Sequence, residues 1–539
     1  MILQTSSEQR TSDSAYVTSG GDIRDLIMSA GTALAEFAAG IAENSYPQPR
    51  ASSQDGIQSG GIVIVCGAGN NGCDGLAAAY VLKTKGFITK VYDVSLRKGP
   101  ASPARAHFEN QLREEAKIEI KSAFNDSTET LADSFKEDIS SAALVLDCVF
   151  GSGFDVSRPL PAGISAVFDE INGCAAKVIS ADVPSGVSAD TGETVLRPVN
   201  ADYTVAFQHA KPGHYILSGK RFCGNVFVAN IGMPSGLDLV SGTREAFTPE
   251  DLESVRKLLP ERDPYGHKYS NGRVLVIAGS KRYCGAAVLA VSSALRGGAG
   301  LVTAAVPGSI ADALTIACPE AVRFSLGDAS SEVLTESHVP AILAEASRSD
   351  VIVIGPGLGR DERTLEAVRT ILSSSEIRKA VVDADALFAI SPLGGLHGEG
   401  AGKLFENKAV ILTPHEAEAA RLLGTDVKTV SEHRLSCASE ISLKSGAVTV
   451  LKGSGTVTLS SSEIFTVNAT GNSSLSKGGS GDVLSGLAGS LLARTDDPYE
   501  AARAAVFIHG LAAERLSEEY SEFCVLPSDL PVAFSEILC

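Results

Sequence analysis

There is no tryptophan in these 539 residues, methionine occurs three times, and basic side chains are scarce, 46 Lys and Arg against 64 Asp and Glu. The net charge of −18 and a pI near 5.0 exclude a general affinity for nucleic acid or an anionic membrane, because the summed field repels phosphate. Local basic sites remain allowed. The ten cysteines form no C-x-x-C pair and no His/Cys cluster at metal-ligand spacing, which argues for reduced thiols and against a structural zinc. The opening stretch "MILQTSSEQRTSDSAYVTSGGD" has no basic segment followed by an apolar one. No uncharged apolar run reaches the ~18 residues a membrane helix needs. The expectation is a cytoplasmic protein with neither membrane nor nucleic acid as partner. With 44% hydrophobic and 20% charged residues the chain has material for large cores, and its length predicts two domains.

Both halves alternate short β-branched runs with helical stretches. In the first half the runs are "GIVIVCGAG" (61–69), "KVYDVS" (90–95), "ALVLDCVFGSG" (143–153), "KVISADVPSG" (177–186) and "YTVAF" (203–207). Continuous apolar runs that end in Gly or Asp are what buried parallel strands look like at their C-terminal ends. They imply a doubly wound α/β sheet with ligands outside the carboxyl ends of its strands. The pattern loosens between about 235 and 265, where a boundary is placed, giving domains 1–238 and 247–539. It then restarts with "RVLVIAGS" (273–280), "LVTAAVP" (301–307), "VIVIGPGLG" (351–359), "AVVDADAL" (380–387), "AVILTPH" (409–415) and "VTVLKGSGT" (448–456).

The densest signal lies at 470–486, "TGNSSLSKGGSGDVLSG". It lacks the Lys-Ser/Thr of a P-loop. Gly478, Gly479 and Gly481 can adopt positive φ and turn successive N–H groups, Ser480 included, into one concavity in front of a helix N-terminus. That would hold a phosphoryl group without a lysine. An aspartate beside such a hole makes sense as a general base for a hydroxyl that attacks the phosphoryl group, so Asp482 is a catalytic candidate; the alternative is that it caps its helix. "LKGSGT" offers Lys452, Gly453, Ser454, Gly455 and Thr456 as a flexible strand end. "TPHEAE" places His415 and Glu416 between a strand and a helix, where the histidine is either structural or functional.

Taken in order, "HKYSNGRVLVIAGS", "YCGAAVLAVSSALRGGAGLVT", "IGPGLG", "DADAL", "TPHEAE", "LKGSGT" and "TGNSSLSKGGSGD" resemble the ADP/ATP-dependent NAD(P)H-hydrate dehydratases, a branch of the ribokinase-like fold. The resemblance implies a ribokinase-like α/β sandwich. It assigns hydrate binding to Ala286, Gly357, Gly359, His415 and Asp482, and nucleotide contacts to 452–456 and 478–481. Magnesium is implied with the nucleotide, and ADP is preferred over ATP as co-substrate. Glu416 and Ala417 stand where Pro-Gly is usual, and Ser473 where proline is common.

In the first half, Gly67-x-Gly69-x-x-Gly72 follows a strand and Asp93 ends the next, so a Rossmann dehydrogenase has to be weighed. Asn70, Asn71 and Asp74 crowd that turn with oxygen atoms, which disfavours a bare pyrophosphate and suits a hard cation or a polar substrate edge. Together "GAGNNGCDG", "DCVFGSGF", "ADVPSGVSADTG" and "AFQHAKPGH" resemble the NAD(P)H-hydrate epimerases, whose Rossmann-like fold the half is expected to share. The resemblance implies a potassium ion at Asn71, Asp147 and Ser185. Substrate contacts are implied at Asn70, Asn71, Gly72, Cys73, Asp74, Gly151, Ser152, Gly153, Phe154, Asp155, Val156, Ser157 and Asp182. Asp182 is expected to transfer the proton. Cys73 and Ser188 stand where the family has glycine and aspartate.

The expectation for the whole is a bifunctional enzyme that assembles as a homo-oligomer. Its substrates would be NADHX and NADPHX, the hydrated forms of NADH and NADPH, with ADP. It would epimerise the R and S forms and dehydrate the S form, leaving AMP and phosphate. A vitamin or sugar kinase fused to a silent ligand-binding domain is the alternative.

Overall fold

The computed structural model describes residues 1–45, 61–95, 100–125, 130–259, 262, 264–393, 405–461 and 464–538. They form two compact units, Ile2–Arg244 and Glu245–Cys539.

The first unit is built on seven strands, β1 (Ile62–Cys66), β2 (Thr89–Asp93), β3 (Ile120–Ser122), β4 (Leu144–Cys148), β5 (Lys177–Ala181), β6 (Tyr203–Phe207) and β7 (Asn225–Ala229). Their order is β3-β2-β1-β4-β5-β6-β7, and the neighbours pair in parallel. Helices cover both faces, so β1 carries no polar side: Ile62, Ile64 and Cys66 enter one apolar layer, and Val63 and Val65 the other. The order reverses at β1/β4, and the loops leaving these two strands diverge to open a crevice there. In this unit the helix Ile23–Ser45 contains a stretch, Ile23–Glu43, long and apolar enough to cross a membrane by length and composition. It packs against the helix Asn70–Thr84, where a Cβ on Gly31 would lie 2.5 Å from Ala77 Cβ.

The second unit carries β8 (Arg244–Phe247), β9 (Arg273–Ile277), β10 (Leu301–Pro307), β11 (Val322–Leu326), β12 (Val351–Ile354), β13 (Lys379–Val382), β14 (Ala409–Leu412), β15 (Val448–Leu451), β16 (Thr456–Ser461) and β17 (Ile464–Asn468). The order is β11-β10-β9-β12-β13-β14-β15-β16-β17-β8. Pairing is parallel from β11 to β15 and antiparallel through β16 and β17. The two-domain α/β reading therefore holds, with a second reversal of strand order at β9/β12. The helix Ser480–Leu492 follows the glycine loop and buries all but Gly481 and Asp482, packing on the helix Cys284–Arg296 and the sheet: a Cβ on Gly486 would lie 2.1 Å from Ala290 O, and one on Gly489 2.3 Å from Val353 Cγ2. Small residues in "VLSGLAGSLLA" thus let the helix that carries Asp482 sit directly on the sheet.

Candidate functional site

In the first unit, the glycines of the β1 loop are required by the approach of other backbone. A Cβ at Gly67 would lie 1.9 Å from Val149 O, and one at Gly72 2.0 Å from Gly67 O. Asp93, at the position where a dehydrogenase grips ribose, is instead ion-paired at 3.0 Å with the fully buried Arg105. Arg105 also donates to Gly67 O. These contacts answer the dehydrogenase reading: the motif packs a loop, and its acid is engaged from within.

Asp182, just past β5, has φ +61°, a strained value for a non-glycine residue. Four bonds hold it there. Its N–H donates to Val205 O at 2.8 Å, and its carbonyl accepts from His214 Nε2 at 2.8 Å. One carboxylate oxygen lies 2.7 Å from Lys211 Nζ, and the other accepts the Ser152 N–H at 2.8 Å. Burial would raise the Asp182 carboxyl, but the Lys211 ammonium and these bonds bring it below the ordinary range. Lys211 is wholly buried and also donates to Phe207 O at 3.0 Å and His209 O at 2.8 Å. His214 Nδ1 accepts the Lys211 N–H at 3.1 Å, which leaves the proton on Nε2. Burial first, then Lys211, pushes His214 down to about 4, so the ring is neutral. Two further carboxyls share the field. Asp74 is driven well above its usual range by burial and then by Asp182 and Asp13; Asp13 is pushed up to about 6 by burial and then by Asp182.

Beside them, Asp147 is fully buried and accepts from Ser185 Oγ at 2.6 Å, Ser180 Oγ at 2.8 Å and Ser185 N–H at 2.9 Å. Burial nevertheless leaves its carboxyl raised. Asn71 Nδ2 donates to Phe150 O at 2.8 Å, and Ser185 Oγ accepts the Phe150 N–H at 2.8 Å. Asn71 and Ser185 therefore meet at Phe150, with Asp147 joined through Ser185, and Asn71 Oδ1 is buried without a hydrogen-bond partner. Gly151, Ser152, Gly153, Phe154 and Val156 line the loop above, where Phe154 stacks on Phe150 with centroids 4.7 Å apart. Asp155 is exposed and bonded to Ser157 and Arg158. Asn70 is exposed at the crevice, whereas the Cys73 side chain is wholly buried in the core and cannot reach a ligand. Its helical backbone accommodates the Cβ. Ser188 Oγ accepts from Thr191 Oγ1 at 3.0 Å within its own turn.

In the second unit, a cleft of about 780 Å³ opens at the β9/β12 reversal and is lined by Ala286, Gly357, Gly359 and Asp482 among others. Gly357 has φ +62° and a Cβ there would lie 2.7 Å from Ala286 Cβ, so a side chain would close the floor. Asp482 is the third residue of the helix Ser480–Leu492; the cap is Gly479, without a side-chain bond. The capping alternative is thus set aside. Among the described residues the Asp482 carboxyl has neither a hydrogen bond nor an ion pair. Burial, then the charge of Asp383, pushes it up to about 7 against the pull of Lys452.

Lys452 lies 2.9 Å from Asp383 Oδ1 and 3.9 Å from Glu418 Oε2. Ser485 Oγ donates to Asp383 Oδ2 at 2.6 Å. A Cβ on Gly481 would come 3.2 Å from Lys452 Nζ. This corrects the expectation of a loop without a lysine: the fold brings one from another strand end. It also corrects the glycine geometry, since of the three only Gly479 takes a positive φ, +105°. Ser480 Oγ is buried without a partner. The turn 452–456 is shaped by Gly453 and Gly455, both at positive φ, with Thr456 Oγ1 donating to Gly453 O at 2.8 Å. The buried Arg434 braces it from behind, donating to Leu451 O at 2.9 Å and pairing with Glu416 at 2.7 Å. Glu416, which stands where proline is usual, thereby has a structural partner.

His415 caps the helix Glu416–Leu423, its Nδ1 accepting from the N–H groups of Ala417 at 3.1 Å and Glu418 at 3.4 Å. Burial, then Lys452, lowers it. It and the residues 452–456 and 478–481 do not line the cleft that holds Asp482; His415 and Gly481 instead lie in the field of Lys452. Sequence reasoning missed Lys211, His214, Asp13, Asp383, Glu418 and Arg434. The first two lie in "HAKPGH" and Asp383 is a polar strand end, but no spacing rule marks any of them.

A family model described as NAD(P)H-hydrate dehydratase matches residues 274–534, and one described as YjeF-related protein N-terminus matches 24–213. The bifunctional NAD(P)H-hydrate repair enzyme Nnr of Thermofilum pendens is 35% identical over 456 residues, 85% of this chain and 83% of that protein. The chain belongs to the bifunctional NAD(P)H-hydrate repair enzyme family. The Escherichia coli member of this repair family is 32% identical over 517 residues, 95% of this chain and 88% of its own. Among solved structures, the ADP/ATP-dependent NAD(P)H-hydrate dehydratase from Bacillus subtilis, co-crystallised with ATP and Mg2+, is 30% identical with a TM-score of 0.46, covering 55% of this chain and 98% of that one. Within the repair-family chain the two matched stretches contain the two reversals of strand order, β1/β4 and β9/β12.

Proposed function

We propose that this chain restores NADH and NADPH from their hydrates, the first unit interconverting the R and S epimers and the second dehydrating the S form. The observation that carries the reading is the unpaired Asp482 carboxyl, pushed up to about 7, at the floor of a cleft beside the glycine loop. A general base serves best with a pKa near the working pH. Asp482 takes the proton of the C6 hydroxyl as its oxygen attacks the terminal phosphoryl group of the nucleotide. Lys452 and the N–H groups of 478–481 hold that group. Loss of phosphate from C6, with a proton from C5, re-forms the ring double bond. With ADP as donor the products are NAD(P)H, AMP and phosphate. We place ADP before ATP because the fused architecture resembles ADP-using proteins. Magnesium carried on the nucleotide would neutralise its phosphates.

In the first unit, Asp182 is kept anionic by Lys211 and faces the crevice with Asp74. It would remove the C6 hydroxyl proton so that the ring opens at the C6–N1 bond, N1 taking a proton. Reclosure on the other face gives the second epimer. The residues expected to hold potassium fit that ion, because Asn71 Oδ1 is a buried acceptor left over beside a buried carboxylate. Bound there, it would supply positive charge next to the substrate hydroxyl. Epimerisation, or the melting temperature, should respond to potassium in the wild type and lose that response in Asp147→Ala; an identical potassium titration in the two proteins removes the site.

Incubation of hydrated NADH with the chain and either nucleotide tests the reading as a whole, by the dihydropyridine absorbance and the phosphate released. A phosphorylated hydrate that persists, with no dihydropyridine formed, assigns the chain to the kinases instead.

A further inference from the structure

Seven charged side chains line the cleft above Asp482, and all but two are matched with a partner. Lys281 pairs with Glu332. Arg360 pairs with Asp385 at 3.0 Å, and Asp361 with Arg363 at 2.9 Å. Among the described residues, Asp482 and Arg282 alone of the seven have neither an ion pair nor a hydrogen bond. Asp482 has its role in the reaction. Arg282 has none so far.

Its guanidinium lies 5.3 Å from the centroid of the Tyr283 ring. Tyr283 is 44% exposed and lines the same cleft. Such a contact orients an arginine without neutralising it, so the charge and the planar donor fork stay available. Arg282 precedes Ala286 by four residues, which places the two Cα atoms at most about 14 Å apart. That is within the reach of a dinucleotide's diphosphate when its nicotinamide ring lies on the floor at Ala286 and Gly357. The cleft volume of about 780 Å³ also exceeds what a lone nicotinamide ring would fill. The nucleotide donor does not compete for this space, since residues 452–456 and 478–481 do not line it.

We infer that Arg282 binds the phosphate groups of the hydrated dinucleotide, with Tyr283 as the platform that holds it in place. The inference rests on the dehydratase reading of this cleft. A bidentate arginine is the donor that matches phosphate geometry, and in a chain of net charge −18 a local cation is what a polyanionic substrate requires for capture. Lys428, paired with Glu432 at 3.7 Å and outside the cleft, serves as the control.

The test compares wild type, Arg282→Gln and Lys428→Gln in steady-state dehydration of the S hydrates of NADH and NADPH, with melting temperature as the check on folding. Arg282→Gln should raise KM for the hydrate at least about tenfold, leave kcat within about threefold, and leave KM for the nucleotide donor unchanged. Lys428→Gln should move none of these. The hydrate KM of the wild type should also climb with salt more steeply than that of Arg282→Gln. An unmoved hydrate KM, or a shift in the donor KM instead, overturns the inference. Failure of the dehydratase reading looks different: the wild type itself then forms no dihydropyridine. In that event binding of NADPH, followed by its fluorescence, still decides the matter, because Arg282→Gln should weaken one class of site at least tenfold and unchanged isotherms refute the assignment.

Discussion

Asp482→Asn stops dehydration while the nucleotide still binds and the fold becomes more stable. The substitution keeps size and shape and removes the base, so turnover should fall by at least the ~10²-fold that general-base loss costs. Nucleotide affinity should hold or improve as a negative charge leaves the glycine loop. In the wild type, dehydration should rise with pH and level off above about 7, as Asp482 gives up its proton; the residual rate of the variant should show no such rise. Stability moves the other way. Because the folded-state pKa stands above the ordinary 3.8, the folded protein holds this proton more tightly than the unfolded chain. That contribution is complete below about pH 4 and is lost as pH rises through about 7. Asparagine never ionises, so its melting temperature should exceed that of the wild type at pH 8 and match it at pH 4. A residue that only shaped the helix start would give equal pH profiles and a lower melting temperature.

The second large effect belongs to Lys211→Met. It leaves Asp182, 4% exposed, without the ammonium that keeps it charged, and breaking a buried pair from one side costs about 3–5 kcal/mol. Epimerisation should disappear with it. Asp182 is depressed in the folded state, so the pair stabilises the wild type above the unfolded carboxyl pKa and that contribution is lost as pH falls through the folded value. Lys211→Met should therefore lose most stability at neutral pH and least in acid. The double variant with Asp182→Asn should be less destabilised than Lys211→Met alone, because the orphaned charge has gone with its partner. Strict additivity in urea unfolding would show that the two side chains do not act as a pair.

Both sheets were legible in the sequence because their strands are buried on both faces: "IVIVC", "LVLDC" and "VLVI" leave no doubt about burial, and Gly or Asp at their ends marks where ligands can sit. What stayed hidden has one physical cause. A side chain that reaches across the fold has no signature in its own neighbourhood. Lys452 stands two dozen residues before the glycine loop and Asp383 about a hundred, yet they meet at Gly481 and Ser485. Arg105 looks like a helix surface residue and is wholly buried under the β1 loop. Lys211 and His214 acquire meaning only when β6 brings "HAKPGH" beneath Asp182. Positive φ was likewise expected at three glycines and is used at one, because the helix begins at Ser480 and already fixes Gly481. Charge pairing within the cleft, which singles out Arg282, is invisible until the loops after β9 and β12 are set side by side.

One chain carries two activities, and their sites are expected not to substitute for one another. The direct measurement is the amplitude of dihydropyridine formation from a mixture of R and S hydrates with excess ADP, for wild type and for Asp182→Asn. The wild type should convert the whole mixture rapidly. Asp182→Asn should convert only the S fraction at the wild-type rate and then proceed no faster than the epimers interconvert unaided. Complete rapid conversion by the variant, or a wild type that stops at the S fraction, would contradict the account.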